Sequence, residues 1–399
     1  MKAKIAFLLS VLFSSTAIAN QTIEWSGFAS IRGGFLSDDL NTPIYFNRYQ
    51  DKDFTLKKES LFAIQADTDL GNNLSAAVQL MAKGDNDFDV EAQWAYIKYQ
   101  FDDHSQILAG RFNIPIFRNS DTVDIGYVHN LSRLSPAVYL PLDISIIEGI
   151  RFNYQNYYDQ WHYQIVSSFG SWDGDIVTQA AGNVQTDIDS VLQLSIEVEN
   201  DGLTLFAGMT HTTFESEEYD HKLIDGLLRQ VGVYDELVAQ DYDFKRIYLS
   251  DTETSVRYLM AGIYYEKGPW FANSEITSLI AFNSIDQKNE AWQMTLGRKF
   301  GEYQIALSQE QNRQINDSTS FYKVENPITQ AKLMLINDLV SEITEFEATS
   351  LHFRYDFHPQ AALTSSLANF EFSNSEYHQD NGEDKSDAIL FTIGIDLIF

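Results

Sequence analysis

The chain has 399 residues, 27 basic against 57 acidic, and no cysteine. The lack of cysteine excludes disulfides, thiolate metal sites and cysteine nucleophiles. The formal charge of −30 argues against nucleic acid as a partner, which would need a basic surface.

In chain order, the first residues read as a secretory signal peptide. Lys2 and Lys4 precede the apolar run Ile5 to Phe13, and Ala17-Ile18-Ala19 is an Ala-x-Ala cleavage site. Residues 1–19 are therefore expected to be removed, leaving a mature chain from Asn20 with 25 basic residues, Lys2 and Lys4 gone, and a charge of about −32. That run is too short to span a membrane as a helix, and no later uncharged apolar stretch is long enough. The mean hydropathy of −0.24 suits a wall in which only every second residue meets lipid. An exported chain of this size without disulfides can be held by a closed ring of backbone hydrogen bonds.

Segments of period-two apolarity follow at Ile23–Phe35, Leu56–Thr68, Leu74–Ala82, Val90–Gln100, Gln106–Phe112 and Ile147–Tyr154. They continue at Trp161–Phe169, Asp189–Val198, Leu203–Thr213, Thr254–Glu266, Trp270–Phe282, Ala291–Phe300 and Tyr303–Gln309. The last are Thr349–Phe357, Ala361–Phe372 and Asp387–Phe399. Every second connection is short and carries turn residues, as in Leu70-Gly71-Asn72, Asn200-Asp201-Gly202, Lys267-Gly268-Pro269 and His358-Pro359. The alternate connections are mostly long and polar: Leu36–Thr55, Asn113–Ile146, Gly170–Ile188, Phe214–Glu253, Glu310–Ala348 and Ser373–Ser386. This alternation predicts one all-β domain over residues 20–399. It is a transmembrane antiparallel β-barrel of about sixteen strands, with short periplasmic turns and long extracellular loops. Two loops carry helical patterns, His221 to Gln240 and Ile328 to Glu345, the latter behind an Asn326 cap and Pro327. The few residues between Asn20 and the first strand leave no room for a plug domain.

In the final strand Ile389, Phe391, Ile393, Ile395, Leu397 and Phe399 form one apolar face. A chain ending on Phe after such a face resembles the sorting signal read by the barrel assembly machinery. Two further stretches carry a resemblance. One is Leu61 to Leu74 (LFAIQADTDLGNNL) with Val78 to Tyr96 (VQLMAKGDNDFDVEAQWAY). The other is Ala109 to Phe117 (AGRFNIPIF), followed by Asp124 to Tyr127, Ser135 to Tyr139 and Glu148-Gly149. Over roughly the first 160 residues the chain resembles the porin-like outer-membrane proteins of gammaproteobacteria. The resemblance implies passive diffusion of small hydrophilic solutes and ions through a water-filled pore in the Gram-negative outer membrane. It also implies a homotrimer and a loop after the fifth strand that folds into the lumen as the constriction. The segment 113–146 holds that place by the independent strand count. Its candidate constriction residues are Arg118, Asp121, Asp124, Arg133 and Asp143, with Glu148 on the strand that follows.

Alternation supplies candidate wall charges: Arg32, Arg111, Arg151 and Arg354 each fall out of phase with apolar neighbours and are expected to face the lumen. Inward arginines facing the loop carboxylates would set a transverse field that filters ions. They could equally hold the loop down by pairing. Clustered arginine would also suit a channel selective for carboxylates or phosphate, and a lumen filled by loops would suit a non-conducting adhesion or structural barrel. Loop charge farther than about 10 Å from the constriction is screened at physiological salt. No enzyme motif is present: the eight histidines are scattered, with no His-x-x-x-His pair, no Gly-x-Ser-x-Gly elbow and no phosphate-binding glycine loop. His352 reads as a lining residue. No cofactor or metal is expected. The implied partners are outer-membrane lipid and lipopolysaccharide, the barrel assembly machinery and the permeating solutes.

Overall fold

A computed structural model describes residues 22–37, 49, 52–139, 146–178, 182–216, 219–241, 254–282, 288–315, 326–340, 345–372, 379–380, 383–384 and 387–399. The expected signal peptide lies outside them. The strands are β1 (Ile23–Leu36), β2 (Leu61–Gly71), β3 (Leu74–Lys83), β4 (Val90–Gln100), β5 (Ser105–Asn113) and β6 (Ile146–Tyr158). Next come β7 (Trp161–Thr178), β8 (Gly182–Asn200), β9 (Leu203–Ser216), β10 (Thr254–Lys267), β11 (Trp270–Phe282) and β12 (Lys288–Phe300). The chain ends with β13 (Tyr303–Gln314), β14 (Phe346–His358), β15 (Ala361–Phe372), the two-residue strands β16 (Gln379–Asp380) and β17 (Glu383–Asp384), and β18 (Asp387–Ile398). β16 and β17 pair only with each other, and the other sixteen strands form one closed antiparallel barrel in which β18 lies between β15 and β1.

Closure leaves no sheet edge at the junction of first and last strands. Gly27 and Phe399 exchange both backbone hydrogen bonds, at 2.8 and 2.9 Å. A side chain at position 27 would fall 2.4 Å from the Phe399 ring, so only glycine leaves room for it. The outward face of β18 is the apolar set Ile389 to Phe399, while Leu390, Thr392, Gly394 and Asp396 are buried on the inward face. Period-two alternation is therefore read directly as lipid side against lumen side. At the short turns, Asp201 and Gly202 adopt φ of 48° and 81°, the left-handed pair that a two-residue hairpin requires. Exposed Tyr99, Tyr157, Trp270, Phe300 and Tyr303 gather near these turns and form the interfacial aromatic row.

The structure departs from the expected boundaries in three places. β2 begins at Leu61, because Phe54 to Ser60 leads in from the loop with only an isolated bridge from Thr55 to Gly34. The expected loop Gly170–Ile188 is largely strand: β7 and β8 stay paired from Trp172↔Ile188 to Thr178↔Gly182. A hairpin standing above the membrane has no lipid side, so its sequence loses the apolar alternation that marks the wall. Glu310–Ala348 also shortens, with β13 reaching Gln314 and β14 starting at Phe346. The two helical patterns are present, as Tyr219–Gln230 with Tyr234–Ala239 and as Pro327–Val340. Asn326 caps the last of these, its Oδ1 accepting from Ile328 N at 2.9 Å.

Candidate functional site

Residues 114–139 leave the extracellular end of β5 and descend through the lumen to the periplasmic rim. There Tyr127 donates its hydroxyl to the Pro359 carbonyl in the turn after β14, at 2.6 Å. The segment holds two 3₁₀ turns (Ser120–Thr122 and Gly126–Val128) and the short helix Pro136–Tyr139. Its apolar side chains Ile114, Ile116, Phe117, Val138 and Tyr139 pack on inward-facing Ile188, Phe206, Tyr258 and Met260. On the opposite wall Ile125 packs against Phe28, Ala63 and Met81.

Polar contacts tie the segment around the wall. Arg151 on β6 makes a bidentate pair with Asp121, at 3.0 and 2.8 Å, the planar fork matching the carboxylate. Arg118 lies 3.4 Å from Glu197 on β8 and stacks over the Tyr264 ring at 4.6 Å. Asn130 donates to Tyr264 and Glu266 on β10, both at 2.9 Å. Tyr139 donates to Glu275 on β11 at 3.1 Å, and Glu310 on β13 accepts from Ser135 and from the Ala137 backbone. Ser132 meets His352 Nδ1 on β14 at 2.8 Å. Arg354, also on β14, donates to the carbonyls of Tyr127 and His129, each at 2.7 Å, and its Nε donates to Asp356. Lys83 on β3 pairs with Asp124 at 3.0 Å, and Arg133 pairs with Glu59 of the first loop at 2.9 Å.

Arg32 sits deepest. Its NH2 donates to both oxygens of Asp396 (3.0 and 2.8 Å) and to Thr364, while Ser30 and Thr364 donate to the same carboxylate. Asp396 is wholly buried. The lumenal segment lies on it at Gly126, where a Cβ would come within 2.3 Å of Asp396 Oδ1. His129 lies half-buried in the segment that covers this cluster, and its Nε2 donates to the Thr122 carbonyl at 2.8 Å. Burial is the main cause that lowers its pKa to about 4, with the Arg32 and Arg354 charges adding to it and Asp396 opposing. Burial and Glu275 push the Tyr139 hydroxyl well above its ordinary value.

Of the expected wall arginines, Arg32, Arg151 and Arg354 face inward. Arg111 does not follow. It pairs in register with Glu148, next to Ala109↔Ile150 and Ile107↔Phe152, and Ile150 and Phe152 are exposed on the outer face. Arg111 and Glu148 form an ion pair on that outward phase. The phase inverts because Leu108, Phe112 and Ile147 are apolar yet buried on the inward phase, Phe112 and Ile147 beneath the lumenal segment. Asp143 lies outside the described residues. Arg118, Asp121, Asp124 and Arg133 are all in the lumen, each paired with the wall or the first loop. Glu59, Glu197, Glu266, Glu275, Glu310 and Asp396 were not singled out from sequence. Asp396 did carry a signal, as a charge on the inward phase of an otherwise apolar strand. The described residues hold no group of side chains arranged for a metal ion.

No family model matches the chain, and no curated protein matches it. Solved structures do. The outer membrane channel DcaP of Acinetobacter baumannii is 12% identical with a TM-score of 0.58, over 97% of this chain and 99% of that one. The trimer form of OmpT, an outer membrane protein of Vibrio cholerae, is 12% identical with a TM-score of 0.53, over 95% and 99%. OmpF of Salmonella typhi, solved in complex with daunomycin, is 11% identical with a TM-score of 0.53, over 94% and 97%. At these identities the likeness is one of fold: the chain is a closed sixteen-stranded barrel of the outer-membrane kind, and the Gram-negative outer membrane is the setting that fold suits.

Proposed function

We propose that the chain is an outer-membrane channel for small hydrophilic solutes and ions, narrowed by residues 114–139, and not an enzyme. The observation that carries the reading is a closed barrel whose inner wall holds the lumenal segment 114–139 on opposite sides. A polar cavity of about 550 Å³ at the periplasmic mouth, lined by Glu24, Asp67, Asp69, Tyr96 and Lys98, supports an aqueous path along β1 to β4. The arginines that would draw carboxylates or phosphate are bonded to acids or carbonyls, so they position the segment more than they offer free positive charge. Acids outnumber bases at the mouth, which favours cations. A barrel closed at rest is the second reading, supported by the apolar packing of Phe117 and Tyr139 on Phe206, Tyr258 and Met260.

Removal of residues 1–19 on export, recognition of the Phe391, Ile393, Ile395, Leu397 and Phe399 face by the assembly machinery, contacts with lipopolysaccharide, and a homotrimer belong to the same proposal. The test is single-channel conductance of refolded protein in planar bilayers under a salt gradient. Small cation-preferring steps are expected. Block by one anionic solute class at low concentration would revive the selective reading. Silence from well-folded protein would sink the channel reading and leave the closed or adhesive barrel.

A further inference from the structure

The wall is weakest between β4 and β5. Their pairing runs from Gln100↔Gln106 to Ala95↔Arg111 and stops there, the shortest of the ring among the described residues. Above it β4 continues to Val90 paired only with β3, and β5 continues to Asn113 paired only with β6. Side chains stand in for the missing ladder. Arg111 Nε donates to the Ala92 carbonyl at 2.7 Å, and Gln93 Nε2 reaches Asn113 Oδ1 at 3.5 Å. Gln93 is the extra residue of a bulge opposite Gln79 and Leu80. Gly110, at φ 135°, passes so close to β4 that a Cβ would fall 2.3 Å from the Ala95 carbonyl.

The depth of this seam matters. Tyr99 belongs to the aromatic row at the turn side, and Ala95 stands four residues above it. At about 3.3 Å per residue and a tilt near 40°, the last pair lies roughly 10 Å above that row, within an apolar band about 25 Å tall. The unpaired stretch thus begins at the depth of hydrocarbon. Open sheet edges do not persist against lipid, but they do where they line a water-filled cavity. A cavity of about 200 Å³ lies at this place. Its lining includes Met81, Lys83, Gln93 and Trp172 of the inward phase together with Arg111 of the outward phase. Side chains of both phases share one cavity only where the wall between them is open. The Arg111–Glu148 ion pair, otherwise misplaced on a lipid-facing phase, would be hydrated through the same opening.

We propose that the β4–β5 seam is a lateral portal in the outer-leaflet half of the wall, admitting the acyl chain of a membrane amphiphile to the vestibule above residues 114–139. Lys83 and Arg111 are already engaged by Asp124 and Glu148, which leaves Asp89 and Glu91 facing the cavity, so the head group that fits carries a cationic group and is zwitterionic, as in phosphatidylcholine.

The chain has no cysteine, so single thiols can be placed without background. Bimane is attached to Trp172→Cys, with Ile150→Cys as the lipid-facing reference and Gln293→Cys as a lumenal reference on the far wall. Each protein is reconstituted in phosphatidylcholine vesicles with brominated acyl chains. Quenching at position 172 close to that at 150, and several-fold above that at 293, is the expected result. Quenching no greater than at 293 overturns the portal. Lys83→Cys gives the same readout if Trp172→Cys does not fold. A benzophenone side chain in place of Arg111 should photolabel lipid; capture of a second copy of the chain instead would mean that protein covers the seam, and also overturns the proposal. Neither readout depends on conductance, so both are independent of the channel reading.

Discussion

Arg32 illustrates how charge is used inside this barrel. Its guanidinium and Asp396 are buried together, with Ser30 and Thr364 satisfying the remaining carboxylate sites. Breaking such a pair from one side leaves an unmatched buried charge, at a cost of about 3 kcal/mol or more. Asp396→Asn should therefore lower the denaturant midpoint clearly, and Arg32→Met combined with Asp396→Asn should recover part of that loss. Gly126→Val should unseat the lumenal segment with every wall residue unchanged, since its side chain would enter the space of the Asp396 carboxylate on β18. Larger single-channel steps are the expected reading, and unchanged steps would mean that the segment does not limit flow. His129 adds a pH dependence of known sign. It is a base whose pKa falls from 6.5 to about 4 in the seated segment, so its neutral form is the one that fits. Its contribution to seating is complete above pH 6.5 and weakens by about 1.4 kcal/mol per unit as pH falls from there toward 4. Opening of the segment, followed by protease nicking or conductance, should rise through that window in the wild type and shift little in His129→Gln.

Among the elements, the helices of the extracellular loops form a unit with its own core. Leu228, Val233, Leu237 and Leu333 are buried where Tyr219–Gln230, Tyr234–Ala239 and Pro327–Val340 meet. Glu236 fastens the two loops, accepting from Thr329 at 2.6 Å and from Asn326 at 2.9 Å, and those donors hold its carboxyl below the usual range. Glu236→Ala should speed proteolysis within residues 326–340 while leaving the heat-modifiable mobility of the barrel unchanged. A simultaneous loss of barrel mobility would show that the helices contribute to the wall itself. Helix and tall hairpin share a cause: neither borders lipid, so local propensity and capping shape them instead of period-two alternation.

At the scale of the whole molecule, stability rests on closure. Sixteen strands exchange backbone bonds around a ring, and the chain's two ends meet at the Gly27–Phe399 pair, with Phe399 stacked on Phe62 at 6.0 Å between centroids. Removing Phe399 should reduce the assembled, heat-resistant fraction in cells more than it reduces refolding in detergent. Equal losses would place the effect in folding alone and not in recognition of the C-terminal face.

The strand count, the short turns and the loop-bearing side were legible in the sequence because pleat and turn chemistry are local. Sixteen alternating segments and the Asp201-Gly202 turn needed no distant partner to be recognised. So was the presence of a long segment after the fifth strand, from residue 113 onward. What alternation alone could not decide was which phase is wet. At Arg32 and Arg354 the polar phase is the inner one. At Arg111 the inner phase is the apolar one, because Phe112 and Ile147 face a segment that fills the lumen with its own hydrophobic side chains. Only the tertiary structure decided that, since the polarity of an inner wall depends on what is packed against it, and here the packing comes from the chain itself.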